Sequence, residues 1–194
     1  AVQNNRLRRF RQLVVYLMVC TALTVVGTAE PPQFDPTIRL RCEAILREAL
    51  SSEEFWPSMH AAEALTQAGF GHVVLWSLRD KLADEESEQH KCGLAREQIR
   101  AGRTGLATVF TTILANPESD ARIHAAESLY KVRGFLPAFE RDDLLRNVLD
   151  AGDPVLELMA SAALIRGGDA SQLARVRGYL TADEPREWRI AAWI

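Results

Sequence analysis

The residues in this chain most able to do chemistry are two histidine–glutamate pairs, His60 with Glu63 and His124 with Glu127. An i,i+3 spacing brings imidazole and carboxylate together on one face of a helix. Such a pair could move a proton or supply part of a metal site. The two pairs occupy equivalent positions in units two apart, however, and helix layers about 10 Å thick keep them from sharing one ion. They read as an outward-facing stripe that stabilises its helices. Arg96, Arg100 and Arg103 fall at i, i+4 and i+7, with His90 and Lys91 nearby. That stripe could grip a carboxylate or phosphate bidentately. It could equally be an exposed face balanced by Glu85, Glu86, Glu88 and Glu97. Among the tryptophans, Trp56 precedes Pro57 at a unit junction, where a partner could reach it, and Trp76 lies in a strongly apolar segment and is expected in the core.

Familiar catalytic sets do not occur. The chain has no GxSxG, no glycine-rich phosphate loop, no HExxH and no CxxC. Its three cysteines, Cys20, Cys42 and Cys92, lie far apart, which does not amount to a disulfide framework. The sequence therefore predicts no catalytic residue, no metal and no cofactor.

What must position these residues is a repeat. A short alanine-rich phrase recurs with starts at residues 60, 92, 124, 158 and 190, as in His60-Ala61-Ala62-Glu63-Ala64-Leu65 and His124-Ala125-Ala126-Glu127-Ser128-Leu129. The steps are 32, 32, 34 and 32 residues. At the helical period Ala61, Ala64, Leu65 and Ala68 share one arc, with Ala125, Leu129 and Val132 doing so in the third copy. Gly69, Gly102, Gly134 and Gly168 follow about ten residues after a phrase and are predicted to end helices at φ > 0. Second helices are predicted near 72–84, 104–115, 138–150 and 170–180. Asp153-Pro154 supplies an N-cap acid and a first-turn proline, with Asn116-Pro117 and Glu184-Pro185 at the neighbouring junctions. No segment alternates as a strand would. The fold class predicted is all-α, an α-solenoid of stacked antiparallel helix pairs with a period of 32–34 residues.

The ends differ from the array. Arg6, Arg8, Arg9 and Arg11 precede an uncharged, largely apolar run from Gln12 to Ala29. Residues 1–29 read as a secretory signal cleaved near Ala29, or as a membrane anchor through residues 12–29. Residues 30–36 form a proline-rich linker, and residues 37–194 the array, whose opening helix carries Ile38, Cys42, Ile45 and Leu46 on one stripe. Without residues 1–29 the formal charge falls from −3 to −7, because that segment holds four arginines and no acid. An acidic chain has no reason to seek phosphate backbones, so nucleic acid is disfavoured. The phrase restarts at Ile190, and the array is expected to continue past Ile194.

These units resemble HEAT and HEAT-like repeats, the shorter type found in phycobilin lyases and many bacterial proteins. The resemblance rests on Ser119-Asp120-Ala121-Arg122-Ile123-His124-Ala125-Ala126-Glu127-Ser128-Leu129, an acid, an arginine, an alanine pair and a leucine. It extends to the junctions at Asp153-Pro154 and Asp183-Glu184-Pro185-Arg186. The second unit departs from it, with Glu97 or Gln98 where leucine is expected. The resemblance implies a curved scaffold whose second helices line a concave binding face. The expected function is a non-enzymatic scaffold that binds a protein or peptide partner in a periplasmic or secreted bacterial protein. Arg96, Arg100, Arg103 and Trp56 are the foremost contact candidates, and His60, Glu63, His124 and Glu127 complete the set. The alternative is a repeat arm or accessory module of an enzyme acting on a small molecule or glycan; a third reading is the scaffold arm of a longer chain whose remainder does the chemistry.

Overall fold

A computed structural model describes residues 35–136 and 139–194; the expected leader at 1–29 and most of the linker lie outside the described residues. Two compact units are distinguished, Ala1–Leu40 and Arg41–Ile194. Within the first, the described residues open helix α1 (Pro36–Leu50), where the Asp35 carboxylate accepts the Thr37 N–H at 2.8 Å. Apart from Ile38, everything below concerns the second unit.

All regular structure among the described residues is helical. Longer helices alternate with shorter ones: α2 (Phe55–Gln67), α3 (Gly71–Leu78), α4 (Lys81–Asp84), α5 (Glu88–Arg100), α6 (Ala107–Ala115), α7 (Arg122–Val132), α8 (Asp142–Asn147), α9 (Pro154–Arg166), α10 (Leu173–Tyr179) and α11 (Pro185–Trp193). The longer helices meet in chain order: α2 on α5, α5 on α7, α7 on α9, α9 on α11. Shorter helices pack on the long helices beside them, α3 on α2 and α5, α6 on α5 and α7, α10 on α9 and α11, whereas α8 packs on α9 and α6. Alanines at the meeting faces, Ala61, Ala62, Ala95, Ala125, Ala126, Ala160 and Ala163, are buried and let backbones come close. At Gly93 the approach is close, since a Cβ there would stand 2.9 Å from the Phe55 ring.

Three of the four anticipated glycine stops have the expected geometry. Gly69, Gly102 and Gly168 have φ of +92°, +115° and +103°. Behind each, paired N–H groups return to the last helical turn, as in Phe70 to the Leu65 carbonyl at 2.8 Å and Gly69 to that of Thr66 at 3.0 Å. Gly134 differs: it lies in a 3₁₀ turn, Arg133–Phe135, that prolongs α7, and needs no positive φ. The Asp153 carboxylate caps α9 as anticipated, accepting the N–H groups of Val155 (2.9 Å) and Leu156 (3.1 Å).

The shorter helices are more broken than periodicity suggested. The segment expected at 72–84 divides into α3 and α4, and that at 138–150 holds, among the described residues, the single short helix Asp142–Asn147. Several expected core positions are not enclosed. In α1, Ile38, Cys42 and Ile45 are exposed and Leu46 half-buried, because that helix is covered mainly near Leu50. Leu173 and Leu180 flank buried Val176 but reach solvent themselves.

Candidate functional site

Most of the chemically able side chains gather where α2, α5 and α7 adjoin. Trp56 and Glu63 come from α2, His90, Arg96 and Arg100 from α5, and His124 and Glu127 from α7. The Trp56 ring lies nearly parallel to His124, centroids 5.8 Å apart, and presents an edge to His90 at 5.9 Å. His90 stacks on Phe55 at 3.8 Å. Below them runs a chain of opposite charges. Arg96 Nε donates to Glu97 Oε1 at 2.7 Å, Arg100 Nη1 contacts both Glu97 oxygens at 2.9 Å, and Arg100 Nη2 reaches Glu63 at 2.9 Å.

This arrangement corrects two expectations. The arginines are not an exposed stripe: Arg96 is 4% exposed and Glu97 fully buried. The reason is that α5 is covered from both sides, by α2 and by α7, so the whole stretch Cys92–Ile99 is enclosed. Arg103 leaves the stripe altogether, because α5 stops at Arg100 and Gly102 turns the chain. Nor are the histidine–glutamate pairs simply outward. His60 is exposed, but Glu63, His124 and Glu127 are half-buried against neighbouring helices.

The electrostatics of the seam follow from enclosure. Burial holds the His124 imidazole below its usual range; Glu127 and Asp120 push back, while Arg96 and Lys131 reinforce the lowering. Burial likewise pushes the Cys92 thiol up to about 12, so it stays protonated and unreactive at neutral pH. His124 meets Glu127 on its own helix at 4.0 Å, and Glu127 also holds Lys131 at 2.7 Å. His90 faces Glu85 at 3.4 Å. Among the described residues, neither His124 nor His90 is paired with an acid from a different long helix. Among the described residues no three His, Cys, Asp or Glu side chains cluster closely enough to hold a metal ion, and no helix is long and apolar enough to cross a membrane.

A second region was not anticipated. Trp76, expected in the core, is 76% exposed on α3. That helix buries Val74 and Leu78, and at 3.6 residues per turn a side chain midway between them points about 200° from each. The signal was legible: Val74 and Leu78 mark one face, and Trp76 lies opposite. Its ring divides two open grooves. One, about 610 Å³, is lined by Leu75, Arg79, Asp80, Gly102 and Arg103; the other, about 450 Å³, by residues including Arg47, Leu50, Ser51 and His72.

Arg103 is set into the first groove by a relay. Buried Gln98 donates Nε2 to the Leu78 carbonyl at 3.1 Å, and its Oε1 accepts Arg103 Nη1 at 3.0 Å. The same Nη1 reaches the Arg79 carbonyl at 3.2 Å. The seam is thus a region of satisfied charge, and the Trp76 face one of available surface. Neither family models, curated proteins nor solved structures provide a match to this chain.

Proposed function

We propose that this chain is a non-enzymatic helical-repeat scaffold, of the HEAT-like kind, that binds a protein or peptide partner across the face of its shorter helices. Its units are helix pairs of 32–34 residues stacked as an α-solenoid, a reading supported by the sequence period and by long helices that meet in chain order. The observation that carries the function is Trp76, a large aromatic side chain left in solvent between two grooves and beside a positioned arginine. Aromatic and arginine side chains are the residue types that dominate binding energy at protein interfaces. Of the residues expected to make contact, Arg103 belongs to this face, whereas Arg96 and Arg100 are committed to Glu97 and Glu63. The basic and apolar character of residues 1–29 supports an exported or membrane-anchored scaffold.

The test is selection from an unbiased displayed-peptide library on the immobilised 194-residue chain. Enriched peptides should compete for one site and be lost on Trp76→Ala. No enrichment above an uncoated surface overturns the reading, and enrichment indifferent to Trp76→Ala removes the shorter-helix face from it.

A further inference from the structure

We infer that the occupant of the Trp76 grooves is an acidic segment of a partner protein, which rests an apolar side chain on the indole and places carboxylates on the arginines either side. The inference rests on the scaffold reading and gives its site a ligand chemistry.

A solitary exposed tryptophan would carry little, since single apolar side chains are common on protein surfaces. Here the cations supply the argument. Arg79, beside Trp76, has its Nε on Asp80 at 2.8 Å, so that acid is already engaged. Arg103 has no carboxylate partner among the described residues. Its Nη1 is held by Gln98 and by the Arg79 carbonyl, while Nε and Nη2 make no hydrogen bond to the described residues. One corner of the guanidinium is therefore fixed by a fully buried amide, and the remaining N–H groups form the fork that fits a carboxylate. Fixing a long side chain before binding lowers the entropy lost on contact. Across the indole, Arg47 bonds Glu43 at 2.8 Å and lies over the Phe70 ring at 5.3 Å, with His72 in the same groove. The lining of both grooves holds three arginines and one acid, on a chain whose formal charge is −3. Arg79 and Arg47 are already paired with Asp80 and Glu43, so the charge left over at this face is that of Arg103, and it favours an acidic ligand there.

A peptide fits better than a nucleic acid. A single strand could also stack on Trp76, but it carries a phosphate at every nucleotide and must continue past Arg103 over a chain of net negative charge. A peptide can alternate its charges with apolar side chains to suit the two grooves.

Fluorescence anisotropy on the full chain tests this. The probe is a fluorescein-labelled peptide of about a dozen residues, with a central Leu-Phe pair flanked by Asp and Glu. Controls are the same peptide with Lys for every acid, and an oligothymidylate of equal length. The acidic peptide should bind saturably and weaken as salt rises from about 0.05 to about 0.3 M. Trp76→Ala and Arg103→Gln should each weaken it about tenfold or more, with far-UV circular dichroism unchanged. Arg103→Lys should recover only part of the loss, and Trp193→Ala should have no effect. Equal binding of the Lys peptide or the oligothymidylate overturns the inference, as does binding that ignores both variants. Library-selected peptides that need Trp76 yet are neutral or basic would overturn it while leaving the scaffold reading intact. Absence of any selected peptide would remove both.

Discussion

Helices α5 and α9 are each 13 residues long, and each lies between two other long helices, yet they fill their surroundings with opposite chemistry. In α9 every residue from Val155 to Leu164 is buried, and the run is apolar apart from Glu157 and Ser161. In α5 the run Cys92–Ile99 is equally enclosed but contains Arg96, Glu97 and Gln98. Enclosure is therefore set by a helix's place between its neighbours and not by its composition. A buried charge is tolerable only when paired and hydrogen-bonded. Glu97 meets that condition with two guanidinium groups, and the neutral Gln98 amide is satisfied by the Leu78 carbonyl and Arg103. In α9, Glu157 accepts from Tyr179 at 2.9 Å and from the Gly152 N–H at 3.2 Å, at the edge of an otherwise apolar core. The polar helix has a consequence the apolar one lacks, since Gln98 ties the seam to the Trp76 face through Arg103.

The largest effect expected is at the centre of that pairing. Glu97→Ala leaves Arg96 and Arg100 enclosed without their shared carboxylate and should cost about 3–5 kcal/mol in urea unfolding. Replacing Arg96, Glu97 and Arg100 together by Met, Leu and Met should instead be neutral or stabilising, by up to about 4 kcal/mol, because no charge is then stranded. A triple variant as unstable as Glu97→Ala would show that the pairing stabilises α5 beyond satisfying itself. On the apolar side, Leu158→Ala in α9 should cost about 2–5 kcal/mol through the cavity it leaves, read in the same experiment. A smaller loss would mean that α9 repacks more freely than α5. Next in size is Gly93→Ala, whose methyl group would meet the Phe55 ring where α5 approaches α2. It should cost about 1–3 kcal/mol, and an unchanged midpoint would show that the ring moves aside.

The smallest effect concerns pH. Burial depresses His124 in the folded chain, so as pH falls the unfolded chain binds that proton first. Its contribution to stability is complete above the unfolded value of about 6.5 and is lost progressively below it. Melting curves between pH 7.5 and pH 5.5, roughly one unit either side of that value, should show a slope that His124→Gln reduces. An identical slope in the variant would assign the acid sensitivity elsewhere.

Helix ends and inward faces were visible in the sequence because their marks are local. Asp153 caps α9, glycines take positive φ at three helix ends, and alanines recur where helices come close. Gly134 escaped because a glycine in a 3₁₀ turn has the same spelling as one at φ > 0. The site was only half legible. Seven of the eight candidate side chains adjoin or belong to the α2–α5–α7 region, but their spacing alone suggested availability where the fold supplies partners. Trp76 was misplaced by weighing the hydrophobicity of its segment above the period of its neighbours Val74 and Leu78.

By itself the sequence determined the helical class, three of the four glycine stops and the inward alanine faces. Each depends on backbone preferences and a 3.6-residue period that neighbouring residues carry among themselves. Tertiary structure alone decided that Arg96 and Glu97 are enclosed, that Glu63 meets Arg100 from another helix, that Trp56 lies on His124 and that Arg103 is held by Gln98 toward the Trp76 groove. Exposure and pairing depend on what covers each helix from both sides, and those neighbours are brought up by other helices distant along the chain.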